Sequence, residues 1–334
     1  RIEDWAGSFS VKVEIKPTAA PPEETKPVQP AAAAKKETPA QPVEAQENAS
    51  EKKIGINLAS RILTLYEGDT KVKMYHVGVG KTSTPTPTGY YAVQYKEVNP
   101  TWVDPDDTSV QIGPGPSNPI GYRWIGFYGN YGIHGTNHPE SIGGYVSNGC
   151  VRMNEADVED LYQYVSVGTP VTVYYDRLVI DVDPDHTVSY YVYPDGYGWQ
   201  SLSVAQVKKA LAGYGVEDFA EFQDISDKIN ASDGNVTYVA KAYDLVVNGN
   251  KLAKRALGKN GQIYLPSVAV ATALKLDLQW NSQQGILTSP YGIAPGYVKS
   301  DVVYMNAVDA YSLFHLRGEL TPAYVYNMYS VKRQ

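Results

Sequence analysis

The single cysteine of this 334-residue chain lies in a turn-forming segment that suits a nucleophile. Cys150 follows Ser147-Asn148-Gly149, and Gly149 allows the backbone to turn sharply beside the thiol. A thiolate that attacks a carbonyl needs a base, a group that orients the base, and donors for the developing oxyanion. The amides of Gly149 and Cys150 are candidates for these donors.

The groups that would serve this thiol lie close to it in the sequence. His134 ends a predicted strand upstream, and the glycine-rich segment between the two residues allows the imidazole to reach the thiol as a base. Arg152 offers a planar, two-point grip on a carboxylate, although it also fits a surface ion pair. A helix predicted to begin near Asn154 directs its positive end towards the thiol, which favours a thiolate.

Other interpretations of these residues remain open. A lone cysteine is most often a small buried hydrophobe, but the polar, glycine-flanked turn around Cys150 argues against that role. His134 and His138 have the i, i+4 spacing of zinc ligands on a helix. Gly135 and Pro139 oppose a helix there, and no glutamate follows His134. We therefore expect neither a metal site nor a cofactor.

Composition limits the class of protein. The chain is 43% hydrophobic and 19% charged, which is typical of a globular protein. Its net charge of -7 argues against a general nucleic-acid binder, and no stretch is apolar over a length that could span a membrane. One cysteine excludes an intrachain disulfide. Because the chain begins at Arg1 and not at Met, we expect a secretion signal or membrane anchor upstream.

Three regions differ in their sequence pattern. Residues 1–53 end in a segment rich in Pro, Ala, Lys and Glu, which predicts a disordered tether. Residues 54–177 alternate in hydrophobicity and predict a mostly β domain with one clear helix after Asn154. Its strands are predicted as a hairpin over 54–66 and strands over 71–80, 89–98, 122–129, 131–135 and 170–175, with an irregular connection over 99–120.

Residues 178–334 predict a smaller α+β domain that contains a repeat. The segments at 261–280 and 300–320 align at an offset of 40 residues, each as a strand followed by a helix. A further amphipathic helix is predicted over 201–216. No residue pattern in this region indicates catalysis.

The run HGTNHPESIGGYVSNGCVRM resembles the signature of L,D-transpeptidases with a YkuD-type catalytic domain. TPTPTGYYAV and NPIGYRWIGF are similar to further segments of that family, and the resemblance covers about residues 54–175. It implies a YkuD-like β-sandwich. Many members carry histidine at the position of Asn148, so this chain lacks a second imidazole beside the thiol.

The resemblance also implies the roles of the site residues. Cys150 would be the nucleophile and His134 its base, with the backbone carbonyl of Gly135 orienting the imidazole. The amides of Gly149 and Cys150 would hold the oxyanion. The candidate substrate-binding residues are Arg152, Ser147, Asn148, Tyr131 and Trp124.

The function that the resemblance implies is peptidoglycan chemistry outside the cytoplasm. The cysteine attacks the peptide bond on the L-centre side of a tetrapeptide stem and releases the terminal D-alanine. The acyl group then passes to the side-chain amine of a diamino acid on another stem, which makes a 3→3 cross-link in the cell wall. The implied partners are donor and acceptor stem peptides, with carbapenem β-lactams as covalent inhibitors.

Three alternatives differ from this function. With water as acceptor, the same acyl-enzyme gives an L,D-carboxypeptidase. A non-catalytic cell-wall-binding protein and a zinc carboxypeptidase are the others. Residues 178–334 resemble the stalk repeat called the copper amine oxidase N-terminal-like domain, which implies an extracytoplasmic module that binds the wall or acts as a spacer.

Overall fold

The computed structural model describes residues 51–332, which divide into two compact units. The first unit ends at Tyr175 and the second begins at Asp176. The predicted tether lies outside the described residues except for positions 51–53, and Lys52 already begins the first strand. Within residues 51–332, no helix has both the length and the apolar character needed to cross a bilayer.

The first unit is mostly β with one α-helix. Its elements are β1 (Lys52–Asn57), β2 (Ile62–Glu67), β3 (Thr70–Gly80), β4 (Gly89–Ala92), β5 (Tyr95–Val98), β6 (Trp102–Val103), β7 (Gln111–Ile112), β8 (Arg123–Tyr128), β9 (Tyr131–His134), β10 (Tyr145–Ser147), β11 (Val151–Met153), α1 (Glu155–Tyr164) and β12 (Pro170–Tyr174). A 3₁₀ turn covers Pro139–Ser141. The strand segments are rich in β-branched and aromatic residues, which suit a half-buried pleated surface.

Hydrogen bonds join most of these strands into one continuous sheet. The order is β4-β12-β1-β2-β3-β11-β9-β8-β5, and β10 pairs with β3 outside this path. The predicted sandwich is therefore a single sheet that curls on itself. Its edge strand β4 returns to β8, where the rings of Tyr91 and Phe127 lie 5.4 Å apart between centroids.

The prediction of one strand over residues 89–98 is wrong. The segment forms two strands at opposite edges of the sheet, with β4 paired to β12 and β5 paired to β8. Between them, Val93 is buried and its amide donates to the carbonyl of Thr169, whereas the amide of Gln94 donates to Gly126. The alternation of hydrophobic and polar residues continues across residues 89–98. The sequence therefore does not reveal that the segment changes its partner strand from β12 to β8.

The helix α1 begins as predicted and ends early. Asn154 is the N-cap residue, and Val158 and Leu161 are buried against the sheet. The Asn154 side chain makes no capping hydrogen bond to the backbone. The helix ends at Tyr164, short of the predicted Gly168, where Lys96 Nζ donates to the carbonyls of Tyr162 and Val165 at 2.7 and 2.6 Å. A lysine on an adjacent strand thus satisfies the exposed carbonyls of the last turn.

The second unit contains sheets and four α-helices. Its elements are β13 (Leu178–Val182), β14 (Thr187–Val192), α2 (Val204–Ala212), α3 (Phe222–Ala231), β15 (Thr237–Val247), β16 (Asn250–Lys251), β17 (Ala256–Lys259), β18 (Gln262–Pro266), α4 (Ser267–Leu274), β19 (Gln279–Asn281), β20 (Ile286–Thr288), β21 (Ile293–Pro295), β22 (Tyr297–Lys299), β23 (Val302–Asn306), α5 (Ala310–Phe314), β24 (Leu316–Leu320) and β25 (Val325–Ser330). The helix α2 has a complete capping box between Ser203 and Gln206.

The predicted strand-helix repeat is present as β18–α4 and β23–α5. The two strands pair with each other antiparallel, with Leu265 opposite Met305. Each helix ends at a residue in the left-handed region, Lys275 in the first copy and His315 in the second, again at an offset of 40 positions. The repeat therefore includes its helix termination as well as its apolar pattern.

Candidate active site

Two adjacent parallel strands carry the thiol and the imidazole. β9 ends at His134, and β11 begins directly after Cys150. Val151 lies opposite Ile133 and Arg152 opposite His134, so Cys150 is level with Gly132. Since alternate residues of a strand share a face, Cys150 and His134 point to the same side of the sheet.

His134 is buried and held by two contacts. Its ring stacks on that of Trp124, with centroids 5.5 Å apart and an interplanar angle of 6°. Its Nδ1 lies 2.5 Å from the carbonyl oxygen of Gly135, where the sequence prediction places the orienting group. A carbonyl can only accept, so Nδ1 carries the proton and Nε2 keeps its lone pair. This tautomer suits a base that acts through Nε2.

The environment favours the neutral form of both the imidazole and the thiol. Burial lowers the pKa of His134 to about 4, the hydrogen bond to Gly135 opposes this, and the charge of Arg152 adds to it. Burial also raises the pKa of the Cys150 thiol, while a backbone hydrogen bond from Gly132 and the charge of Arg152 lower it. Burial therefore outweighs the hydrogen bond and the charge that favour a thiolate, and the effect of the α1 terminus on the thiol stays a prediction.

The turn before the thiol is held by one serine. Ser147 Oγ donates to the carbonyl of Cys150 at 2.6 Å and accepts from the amide of Gly149 at 3.1 Å. The Gly149 amide is thus occupied, which departs from its predicted role as an oxyanion donor. It fixes the turn instead. Asn148 stands exposed at the tip.

Gly149 is required in this turn for two reasons. Its φ of 122° lies in the region that side chains rarely adopt. A Cβ at this position would also overlap the ring of Tyr131. The aromatic residue predicted to contact substrate therefore packs directly against the turn that carries the thiol.

The two residues predicted to make aromatic contacts lie on β9, the neighbour of β11, and on β8, the next strand in the sheet. Trp124 lies over Gly132, where a Cβ would stand 2.5 Å from the indole Cζ2. Tyr131 stacks on Tyr128 with a centroid separation of 6.1 Å. An isolated glycine within a strand indicates close approach of another group, and here that group is the indole.

Arg152 is available to a substrate anion. It is half-buried in β11 beside His134, and its charge acts on both reacting residues. Among residues 51–332 it has no carboxylate at ion-pairing distance. A half-buried guanidinium without an internal partner is suited to bind a carboxylate from outside.

The two histidines have different partners. His138 is exposed and its Nδ1 lies 3.0 Å from Glu140, whereas His134 Nδ1 is held by Gly135. Residues 51–332 contain no group of three or more His, Cys, Asp or Glu side chains placed to hold an ion.

Glu155 is a half-buried support that the sequence did not reveal. Its carboxylate accepts a hydrogen bond from the amide of Tyr122 at 2.8 Å, and it fills the space where Gly121 and Gly135 lack a Cβ. Partial burial raises the pKa of Glu155, while the hydrogen bond from Tyr122 lowers it. An acidic residue in the first turn of a helix is usually explained by the helix dipole, so only the contacts of the carboxylate reveal that it also packs against the residue that orients His134.

Residues 51–173 match the model of the L,D-transpeptidase catalytic domain of the YkuD type. The Bacillus subtilis protein YqjB, which carries the name of an L,D-transpeptidase, is 44% identical over 112 residues, covering 31% of this chain and 61% of that protein. The Bacillus licheniformis protein named L,D-transpeptidase YkuD is 38% identical over 122 residues, covering 36% of this chain and 64% of that protein.

The chain spans just under two thirds of the length of these relatives. Among solved structures, the catalytic domain of an L,D-transpeptidase from Enterococcus faecium is 25% identical, with a TM-score of 0.31. That comparison covers 37% of this chain and 97% of the solved chain.

Replacing His134 should flatten the pH dependence of stability. The unfolded imidazole takes up a proton near pH 6.5 and the folded one only near pH 4, so the free energy of unfolding falls as pH falls through this window. Urea unfolding at several pH values gives the slope of the unfolding free energy against pH. In His134→Gln this slope should fall by the amount that corresponds to about one bound proton. His138→Gln, at an exposed position, should keep the wild-type slope. A wild-type slope in His134→Gln would contradict the burial of a neutral imidazole.

Gly149→Ala should destabilise the turn more than a matched glycine replacement. Gly143 has a φ of 85° and nothing within 4 Å of its absent Cβ, so Gly143→Ala isolates the backbone effect. Gly149→Ala adds the overlap with Tyr131 and should lower the free energy of unfolding by about 1–3 kcal/mol. It should also slow alkylation of Cys150. Equal effects of the two replacements in urea unfolding would show that the Tyr131 contact does not hold the turn.

Proposed function

We propose that this chain is an L,D-transpeptidase of the cell envelope that works through a Cys150 acyl-enzyme. The observation that carries the proposal is the shared face of Cys150 and His134 on β11 and β9, with Nδ1 held by Gly135 and Nε2 free to accept a proton. The match of residues 51–173 to the YkuD-type domain supports the reaction class. Stem peptides are the substrates that this class implies.

Acylation follows from the neutral resting state of the pair. The thiol attacks the carbonyl on the L-centre side of a tetrapeptide stem, and its proton passes to Nε2 of His134 as the C–S bond forms. When the intermediate collapses, the C–N bond breaks and His134 returns the proton to the leaving nitrogen of D-alanine. The Cys150 amide is the oxyanion donor that we assign, since Ser147 occupies that of Gly149.

Transfer to the acceptor uses the same residues. The side-chain amine of a diamino acid on a second stem attacks the thioester, and His134 accepts the proton that the nitrogen loses. The C–S bond then breaks, an amide forms as the 3→3 cross-link, and the proton returns to Cys150. Water in place of the amine would give trimming by an L,D-carboxypeptidase.

The other regions complete the proposal. The residues that precede β1 would act as a tether that holds the enzyme outside the cytoplasm. The second unit, which includes the β18–α4 and β23–α5 repeat, would bind the wall or act as a spacer, as the stalk-domain resemblance implies.

Cys150→Ala should abolish both cross-linking and covalent labelling by carbapenems, because no other thiol exists in the chain. Muropeptides incubated with the enzyme and analysed by mass spectrometry separate cross-linked dimers from trimmed tripeptides. Transpeptidation predicts dimers with loss of D-alanine. Retained activity in Cys150→Ala would contradict the mechanism, and tripeptides alone would indicate a carboxypeptidase.

Arg152→Lys should raise KM more than it lowers kcat. Lysine keeps the positive charge beside the reacting pair but lacks the planar two-point grip on a carboxylate. We expect an increase in KM of about tenfold, which corresponds to about 1.4 kcal/mol of lost binding. The rate of Cys150 alkylation serves as the control and should stay near that of the wild type. An unchanged KM would show that Arg152 does not hold the substrate.

A further inference from the structure

Two rows of side chains cross the sheet on the face that carries the thiol. In the first, Tyr95 lies opposite Gly126, which lies opposite Gly132, level with Cys150. Residues opposite one another in paired strands point to the same face. Tyr95 of the edge strand β5 and the nucleophile of β11 are therefore two ends of one row, with two glycines between them.

The second row runs beside the first. Glu97 lies opposite Trp124, Trp124 opposite His134, and His134 opposite Arg152. The row therefore begins with an acidic side chain and ends with a basic one. Three strand spacings of about 4.8 Å separate these ends by about 14 Å.

Aromatic rings cover the two glycines of the first row, which leave room for them because they lack a side chain. A Cβ at Gly126 would stand 2.5 Å from Tyr95 Cε1, just as one at Gly132 would meet Trp124. The rings of Tyr95 and Trp124 lie 6.5 Å apart between centroids, and Trp124 continues to His134. The aromatic surface thus extends from the base to the sheet edge.

The outer end of this surface is open to solvent and negatively charged. Tyr95 is 45% exposed, and Glu97 is exposed on the same strand two positions on. Within residues 51–332 Glu97 has no cationic partner at ion-pairing distance. Burial raises the pKa of Tyr95, the side chain of Trp124 lowers it, and the charge of Glu97 raises it. The phenol and the carboxylate therefore lie close enough to interact electrostatically.

An aromatic face beside a free carboxylate is chemistry that binds an ammonium group. The ring attracts the cation and packs against its methylene chain, while the carboxylate provides the opposite charge. We propose that Tyr95 and Glu97 form a subsite for the side-chain ammonium of the diamino acid in the donor stem. The subsite rests on the proposed function, because that function supplies the diamino acid at the acyl position.

A diamino-acid side chain on Cys150 would extend over this aromatic surface towards the Tyr95 ring. Two strand spacings, about 10 Å, separate Cys150 from Gly126, over which the Tyr95 ring lies. A diamino-acid side chain extends about 7.5 Å from the acyl carbon to the terminal nitrogen across six bonds. Arg152 at the other end of the second row would hold the stem carboxylate, so the opposite charges would orient the stem across the sheet.

The test measures binding of two stems to full-length protein that carries Cys150→Ala. One tetrapeptide has a free side-chain amine and the other is acetylated on it, and calorimetry gives both Kd values. We expect the free-amine stem to bind about tenfold more tightly. Glu97→Gln and Tyr95→Leu should each reduce this preference to less than about threefold, whereas Tyr95→Phe should retain it.

Glu67→Gln is the matched control, because Glu67 is an exposed acid at the end of β2, a strand outside both rows. It should leave the preference unchanged. Equal binding of the two stems, or a preference that survives in Glu97→Gln, would overturn the subsite. Because Glu97 is exposed, its replacement should not disturb folding. The Glu97→Gln variant therefore tests the subsite even if Tyr95→Leu does not fold.

Turnover separates this proposal from the function on which it rests. Wild-type protein that releases D-alanine from both stems at equal kcat/KM would contradict the subsite alone. Protein that binds the free-amine stem selectively but releases no D-alanine would contradict the proposed reaction and leave the ammonium site supported.

Discussion

The parallel pairing of β9 with β11 is the constraint on which the rest of the site depends. It places Arg152 opposite His134 and Cys150 level with Gly132, so that four strands contribute side chains to one face. A shift by one residue would send the thiol and the imidazole to opposite faces. The Ser147 turn and the Glu155 carboxylate both act at the ends of these strands, and each fixes a residue adjacent to a reacting one.

Burial then determines how the reacting pair behaves. Burial disfavours both an imidazolium at His134 and a thiolate at Cys150. The guanidinium of Arg152 also disfavours the imidazolium, whereas it favours the thiolate. In the proposed reaction the pair therefore rests without charge separation, and the proton moves as the substrate carbonyl is attacked. An enzyme with a preformed thiolate–imidazolium pair would differ from this one. Here the negative charge forms only on the substrate oxygen, where the oxyanion donors can stabilise it.

Local sequence patterns predicted most of the strands and the start of α1, and they singled out Cys150 and His134 as candidates, because turns, caps and glycine-flanked thiols are short-range features. They did not predict what depends on which strands are neighbours. The change of partner at Val93, the occupied amide of Gly149 and the position of Glu155 under Gly135 all require contacts between distant segments. The two rows that connect Tyr95 and Glu97 to the site also depend on such contacts. They result from the pairing of strands and not from spacing along the chain.

The protonation state of His134 is the most direct test of a neutral Cys150–His134 pair. Nitrogen-15 NMR of the imidazole, recorded across the pH range of activity, distinguishes the Nδ1–H tautomer from the Nε2–H tautomer and from the imidazolium. A neutral pair predicts the Nδ1–H tautomer of the imidazole at neutral pH, with protonation of the ring only near pH 4. An imidazolium at neutral pH that disappears in Cys150→Ala would show a preformed ion pair and contradict it.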